Sequence, residues 1–67
     1  MINITVNNEP QQLSQTCSLA DFLIEQGLTG KRLAVELNRQ IVPRSQHPDQ
    51  MICDGDKMEI IHAIGGG

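Results

Sequence analysis

Aromatic residues are almost absent from this sequence: Phe22 is the one aromatic side chain among 67 residues, and there is no tryptophan or tyrosine. Nucleic-acid binding needs a basic surface and commonly uses aromatic side chains that stack on bases. The formal net charge is -3, and the basic residues cluster no further than the pair Lys31-Arg32. We therefore expect no nucleic acid among the partners, and an aliphatic core of Ile, Leu, Val and Met.

Long hydrophobic runs are missing as well. The longest apolar stretch is far shorter than the roughly 20 residues of a membrane-spanning helix. The first ten residues, MINITVNNEP, have neither the basic start nor the apolar stretch of a signal peptide. The sequence therefore predicts no membrane contact and a cytoplasmic location, where Cys17 and Cys53 would be reduced thiols.

Few side chains offer catalytic chemistry. Cys17 precedes a predicted helix whose N-terminus could lower the pKa of its thiol, although a small, semi-buried structural residue is the simpler interpretation. Cys53 is expected to be structural too. His47 is expected to be solvated in a polar loop, and His62 to lie at the surface near the end of a strand. The four Cys and His residues match no zinc spacing, so we expect no metal site. Because each of them has a simpler structural or surface role, we also expect no catalytic residue.

Alternating apolar and polar residues predict a strand at the start of the chain. In MINITVN every second residue is apolar, so that one face carries Ile2, Ile4 and Val6. Residues 7–10, Asn-Asn-Glu-Pro, are typical of a turn. The following QQLSQT is expected to return as a short second strand with Leu13 on its inner side.

Helical spacing replaces this alternation in SLADFLIEQGL. Ser18, with Asp21 three residues later, is typical of a capped helix start. Gly27 suits the cap at the other end. The pattern predicts a helix of about ten residues, which is too short to persist alone and must pack on a sheet. Its apolar stripe consists of Leu19, Phe22 and Leu23.

The second half of the sequence predicts three more strands. LAVELN alternates, and QIV follows Asn38-Arg39 as the second strand of a hairpin, with Ile41 as its inward candidate. Asp54-Gly55-Asp56 predicts a tight turn, and KMEIIHAI is the last strand. The inner side chains of these strands are predicted to be Leu33, Val35, Leu37, Met58 and Ile60, while His62 and Ile64 share the face of Met58 and Ile60 near the end of the last strand.

A helix after one hairpin and before further strands suggests an α+β fold, with one mixed sheet of four to five strands packed on one helix. If the first and last strands pair in parallel at the centre, the helix forms part of the crossover between them. That arrangement is the β-grasp, or ubiquitin-like, architecture. We expect residues 1–64 to form this domain and residues 65–67 to form a flexible glycine tail.

The segment MEIIHAIGGG raises the question of what three glycines do after a strand-like run. The carboxylate of Gly67 is a chemically usable group, which an ATP-using partner could convert into an acyl-adenylate. Glycine has no side chain, so such a tail can thread a narrow channel where a Cβ would collide. Residues 64–67 give a reach on the order of 10–14 Å.

Two segments, LNRQIVPR and DGDKMEIIHAIGGG, resemble the sulfur carrier family of thiamine biosynthesis, the ThiS type. The resemblance covers nearly the whole chain, including its length, the Ser-capped helix and the Gly-Gly end. It implies a β-grasp fold and a protein that is a co-substrate rather than an enzyme. Gly66 and Gly67 match the glycine pair of the family, and Gly65 is an extra glycine that lengthens the tail.

The resemblance also implies the partners. An adenylating enzyme similar to the ubiquitin activators would use ATP to activate Gly67, while this chain itself would bind no cofactor. Sulfur from a persulfide donor, either a desulfurase or a rhodanese-like protein, would then replace AMP. Thiazole synthase would take sulfur from the resulting Gly67 thiocarboxylate.

An exposed apolar patch on the last strands is a candidate partner-binding surface. The residues predicted for it are Ile41, Val42, Ile61, Ala63 and Ile64. A scatter of ordinary surface residues is the alternative interpretation. For the function, the alternatives are a carrier for molybdopterin or another sulfur-requiring pathway, a non-covalent ubiquitin-like binding module, and a cysteine-based enzyme.

Overall fold

One mixed sheet and one packed helix make up the computed structural model, which describes residues 1–29 and 32–62. The sheet order is β2-β1-β5-β3-β4, with β1 and β5 parallel and the other pairs antiparallel. The predicted β-grasp fold is confirmed. The described elements are β1 (Ile2–Val6), β2 (Glu9–Leu13), α1 (Leu19–Glu25), β3 (Leu33–Leu37), β4 (Gln40–Ile41), a 3-10 helix (Arg44–Gln46) and β5 (Lys57–His62).

Both hairpins turn on two residues with positive φ. Asn7 and Asn8 have φ of 51° and 68°, and Asn38 and Arg39 have φ of 53° and 70°. Such turns match the right-handed twist of the flanking strands. Because the first turn is this short, β2 begins at Glu9 and includes Pro10, so that it starts two residues before the predicted position. Proline is tolerated there because β2 is an edge strand.

Helix α1 begins and ends with the predicted caps. The Ser18 hydroxyl accepts a hydrogen bond from the Asp21 amide at 3.1 Å. Gly27 has a φ of 73°, and the Leu28 amide donates to the Leu23 carbonyl at 2.9 Å, which closes the last turn. The helix has seven residues, fewer than the ten expected. None of the helices in the described ranges has the length and apolar character needed to cross a membrane.

The core lies between α1 and one face of the sheet. Phe22 is fully buried, and the other buried apolar residues around it are aliphatic. This agrees with the predicted aliphatic core. Within residues 1–29 and 32–62, the buried apolar residues are Ile4, Leu19, Phe22, Leu23, Val35, Leu37, Val42, Ile52, Met58 and Ile60.

The inward residue of the second hairpin is Val42 and not Ile41, so that prediction is wrong. The two-residue turn pairs Glu36 with Ile41, and paired residues share a face of the sheet. Ile41 therefore points outward with Glu36 and is 70% exposed. Val42 is buried, and its amide donates to the Val35 carbonyl at 2.9 Å.

His47 is buried, which contradicts the expectation that its polar loop would leave it solvated. Its Nε2 lies 3.0 Å from the Val42 carbonyl oxygen. Its own carbonyl accepts the Ala20 amide at 3.0 Å, one of the first-turn donors of α1 that need a partner outside the helix. His47 therefore joins the end of the second hairpin to the start of the helix.

Candidate functional site

Strand β5 carries the candidate site because it leads directly into the glycine segment. It lies at the centre of the sheet between β1 and β3. Met58 and Ile60 anchor it in the core, and all of β3 pairs with it. The site residues predicted beyond His62, namely Ala63, Ile64, Gly65, Gly66 and Gly67, lie outside the described residues, so their roles stay predictions.

The turn that precedes β5 is fixed by two carboxylates. Asp54 Oδ1 accepts the Asn3 amide at 2.6 Å, while the Gly55 amide donates to the Asn3 carbonyl at 2.7 Å. Asp56 Oδ2 accepts the Cys53 amide at 2.7 Å. Gly55 adopts a φ of 88°, which favours glycine. The predicted tight turn is confirmed, and its acidic side chains are occupied by backbone hydrogen bonds.

Two asparagines that were predicted at the hairpin turns also hold β5 from both sides. Asn38 Oδ1 accepts the Lys57 amide at 3.0 Å, and Asn38 Nδ2 donates to Asp56 Oδ1 at 3.0 Å. On the other side, Asn7 Oδ1 accepts the Ile60 amide at 2.8 Å. The signal in the sequence was the asparagine at each hairpin turn, since this residue tolerates positive φ and its side chain can bond to nearby backbone.

The sheet face opposite α1 carries the candidate partner surface. Ile41 is 70% exposed and Ile61 is 51% exposed. Ile61 pairs with the exposed Ala34, and Ile41 pairs with Glu36, so all four side chains share this face. We call it the Ile41–Ile61 face. Val42 is buried and offers it no surface, so its predicted exposure is wrong.

Charged residues of both signs separate the two isoleucines. Glu36 and Glu59 lie directly opposite each other on β3 and β5. With Arg39 and Lys57 they line a hollow of about 40 Å³. That volume is far below the several hundred Å³ of a typical small-molecule site. The mixture of apolar and charged side chains suits contact with another protein surface.

Cys17 is not placed as an activated nucleophile. Cys17 is half-buried, and burial together with the nearby carboxylates of Glu25 and Asp21 raises the pKa of its thiol. The suggested lowering of that pKa by the helix N-terminus is therefore wrong. Cys53 is a free, exposed thiol, and His62 is exposed as predicted. Residues 1–29 and 32–62 contain no group of three His, Cys, Asp or Glu side chains placed to hold a metal ion.

Comparisons with known proteins point to one family. A model of the ThiS family matches residues 4–67. The chain is similar to the sulfur carrier protein ThiS of Bacillus subtilis, at 35% identity over 52 residues, covering 78% of this chain and 79% of that protein. It also superposes on the crystal structure of a thiamine biosynthesis protein (ThiS) from Geobacter metallireducens with a TM-score of 0.86 and 26% identity, covering 98% of this chain and 100% of the other.

A third relative is much longer. Thiazole synthase of Paramagnetospirillum magneticum (strain ATCC 700264 / AMB-1) is 36% identical over 66 residues, covering 98% of this chain but 20% of that protein. The chain thus spans about a fifth of the length of this relative. A segment similar to nearly all of this chain is part of the same polypeptide as that enzyme.

Proposed function

We propose, because this chain belongs to the ThiS family, that it carries sulfur for thiamine biosynthesis on the carboxylate of Gly67. The observation that carries the proposal is the anchoring of β5, from which residues 63–67 continue. Buried Met58 and Ile60 fix its inner face, and the asparagine hydrogen bonds fix both of its edges. A strand held in this way aims the segment that follows it.

The chemistry begins with activation of a poor electrophile. A carboxylate is resonance-stabilised and resists nucleophilic attack, so an oxygen of the Gly67 carboxylate first attacks the α-phosphorus of ATP in the active site of an adenylating enzyme. Pyrophosphate leaves and an acyl-adenylate forms. The terminal sulfur of a persulfide then attacks the acyl carbon and AMP leaves, which gives an acyl disulfide. A thiol cleaves its S–S bond, leaving the Gly67 thiocarboxylate and a new disulfide.

This chain contributes delivery rather than catalysis. Glycines at positions 65–67 present no Cβ to the walls of a narrow channel. From His62, the five residues 63–67 span at most about 18 Å when extended. The partner's reacting groups must therefore lie within that distance of the end of β5. Docking through the Ile41–Ile61 face would bring the partner close to the end of β5, because Ile61 directly precedes His62.

The final acceptor of the sulfur is proposed to be thiazole synthase. The support is the relative in which a segment similar to this chain belongs to a thiazole synthase, since activities that share a polypeptide commonly act in sequence. A second thiazole synthase, from Magnetococcus marinus, contains a similar segment at 30% identity over 66 residues. The adenylating enzyme and the persulfide donor are the partners that the resemblance to the ThiS family implies.

Mass spectrometry tests the proposal. The protein is incubated with ATP, the adenylating enzyme and a persulfide source, and its intact mass is measured. Replacement of one carboxylate oxygen by sulfur adds about 16 Da, the expected change for acyl transfer to sulfur. Deletion of Gly67 is expected to abolish this gain without changing the circular dichroism spectrum.

The matched control removes the other candidate sulfur sites. A Cys17→Ser, Cys53→Ser double variant is expected to gain sulfur like the unmodified protein. If the protein lacking Gly67 still gained sulfur and the double variant did not, a cysteine would be the carrier site and the proposal would be wrong.

A further inference from the structure

The edges of β5 are used unequally along its length. Backbone N–H and C=O groups of successive strand residues point to opposite edges. Asp56 and Met58 direct their carbonyls to β1, where they accept the Thr5 and Asn7 amides at 3.0 and 2.9 Å. Lys57 directs its carbonyl to the opposite edge, where it accepts the Asn38 amide at 2.7 Å. Even-numbered residues of β5 therefore face β1, and odd-numbered residues face β3.

Strand β1 covers only the first part of this edge. Its register with β5 consists of Thr5 with Lys57 and Val6 with Met58. The chain then turns away, and the Asn7 side chain accepts the Ile60 amide in place of a backbone carbonyl. Among the described residues, the pairing of β1 with β5 ends there. The carbonyl of Ile60 and the amide of His62 point to the same edge beyond it, while β3 still pairs with β5 up to His62.

We propose that this edge, to which the described residues add no further strand, pairs through the carbonyl of Ile60 and the amide of His62 with an extended backbone segment of thiazole synthase. An acceptor and a donor at strand spacing fit an extended peptide that adds a strand to the sheet. The inference rests on the proposed function for the identity of the partner. The identity of this partner is supported by the two thiazole synthases that contain a segment similar to this chain.

The position of the edge gives the contact a purpose. Residue 63 follows His62 directly. A backbone contact at His62 would therefore hold the end of β5 in place, next to residues 63–67, which we propose enter the partner. Ile61, on the neighbouring exposed face, offers apolar contact beside it. Asn7 is a positioning residue in this scheme, because its side chain marks where the internal pairing ends and the free edge begins.

A proline at position 62 tests the pairing. The His62 amide faces away from β3, so His62→Pro removes the free donor and leaves the hydrogen bonds between β3 and β5 in place; proline is accepted where the missing N–H lies on an unpaired edge. We expect His62→Pro to bind thiazole synthase about tenfold more weakly than the unmodified protein, the effect of one lost interface hydrogen bond. His62→Ala, which keeps the amide, is the matched control and should bind normally.

Amide hydrogen exchange of the unmodified protein gives a second measurement that does not depend on a variant. The His62 amide should exchange rapidly in the free protein and slowly in the complex with thiazole synthase. Equal binding by His62→Pro and His62→Ala, or rapid exchange at His62 in the complex, would overturn the pairing while leaving the carrier function intact. Failure of the unmodified protein to bind thiazole synthase would overturn the proposed partner and the pairing with it.

Discussion

Replacing Ile41 by alanine should weaken docking far more than it weakens the fold. Complete burial of an isoleucine side chain contributes about 1.5–3 kcal/mol. Ile41 is 70% exposed. If a partner buries this exposed part, the binding free energy gains about 1–2 kcal/mol, in proportion to the area. Loss of this contribution lowers affinity by about 5- to 30-fold. The buried remainder limits the loss of folding free energy to about 0.5–0.9 kcal/mol.

The matched control is Ile24→Ala. Ile24 is 59% exposed but lies on α1, on the other side of the sheet from the Ile41–Ile61 face. Its truncation removes a similar amount of exposed apolar surface and has a similar effect on folding. Ile61→Ala, on the same face as Ile41, should behave like Ile41→Ala with a smaller loss of affinity, because Ile61 is 51% exposed.

The assay is the rate of sulfur loading at limiting carrier concentration, with direct titration of the adenylating enzyme and urea unfolding of each variant. We expect Ile41→Ala to load slowly at low concentration and to recover at saturation, since only docking is impaired. The reasoning fails if Ile41→Ala loads like the unmodified protein while Ile24→Ala loads slowly. In that case the partner docks on the helical side.

Two further predictions concern the strand and the thiol. Asn38→Gly keeps the positive φ of the turn but removes the side-chain hydrogen bonds to Lys57 and Asp56, so we expect urea unfolding to show a loss of about 1–2 kcal/mol; an unchanged unfolding midpoint would show that these bonds do not stabilise β5. Because the pKa of Cys17 is raised in the folded state, the unfolded chain loses this proton first as pH increases, so stability present below the ordinary thiol pKa should be lost as pH rises through the raised one. The thermal unfolding temperature of the unmodified protein should therefore fall more steeply above about pH 8.5 than that of Cys17→Ala. Parallel curves for the two proteins would contradict a raised pKa at Cys17.

Local patterns in the sequence predicted the parts of the fold that short-range rules decide. Alternation located β1, β3 and β5, and the Ser18 and Gly27 caps located the helix. Each of these signals depends on residues close together in the chain. The central parallel pairing of β1 with β5 entered the prediction only as a condition of the β-grasp, since a helix in the connection permits a parallel crossover but does not require it.

The errors arose where a residue's environment is set by distant parts of the chain. QIV places two apolar residues side by side, so alternation alone does not decide between Ile41 and Val42. The register does decide: with a two-residue turn, Val42 comes opposite the inward Val35. His47 has polar neighbours in sequence and is buried by contacts to Val42 and Ala20, which no local pattern records.

The asparagines show why the site was harder to predict than the fold. Turn propensity accounts for Asn7 and Asn38 completely, so nothing in the sequence demanded a further role. In the structure each side chain also bonds to β5, one on each edge. Glycine would satisfy both turns, since it adopts positive φ freely, but it would remove the side-chain hydrogen bonds to β5. The choice of asparagine at these positions therefore ties the geometry of two hairpins to the orientation of the strand that leads to Gly67.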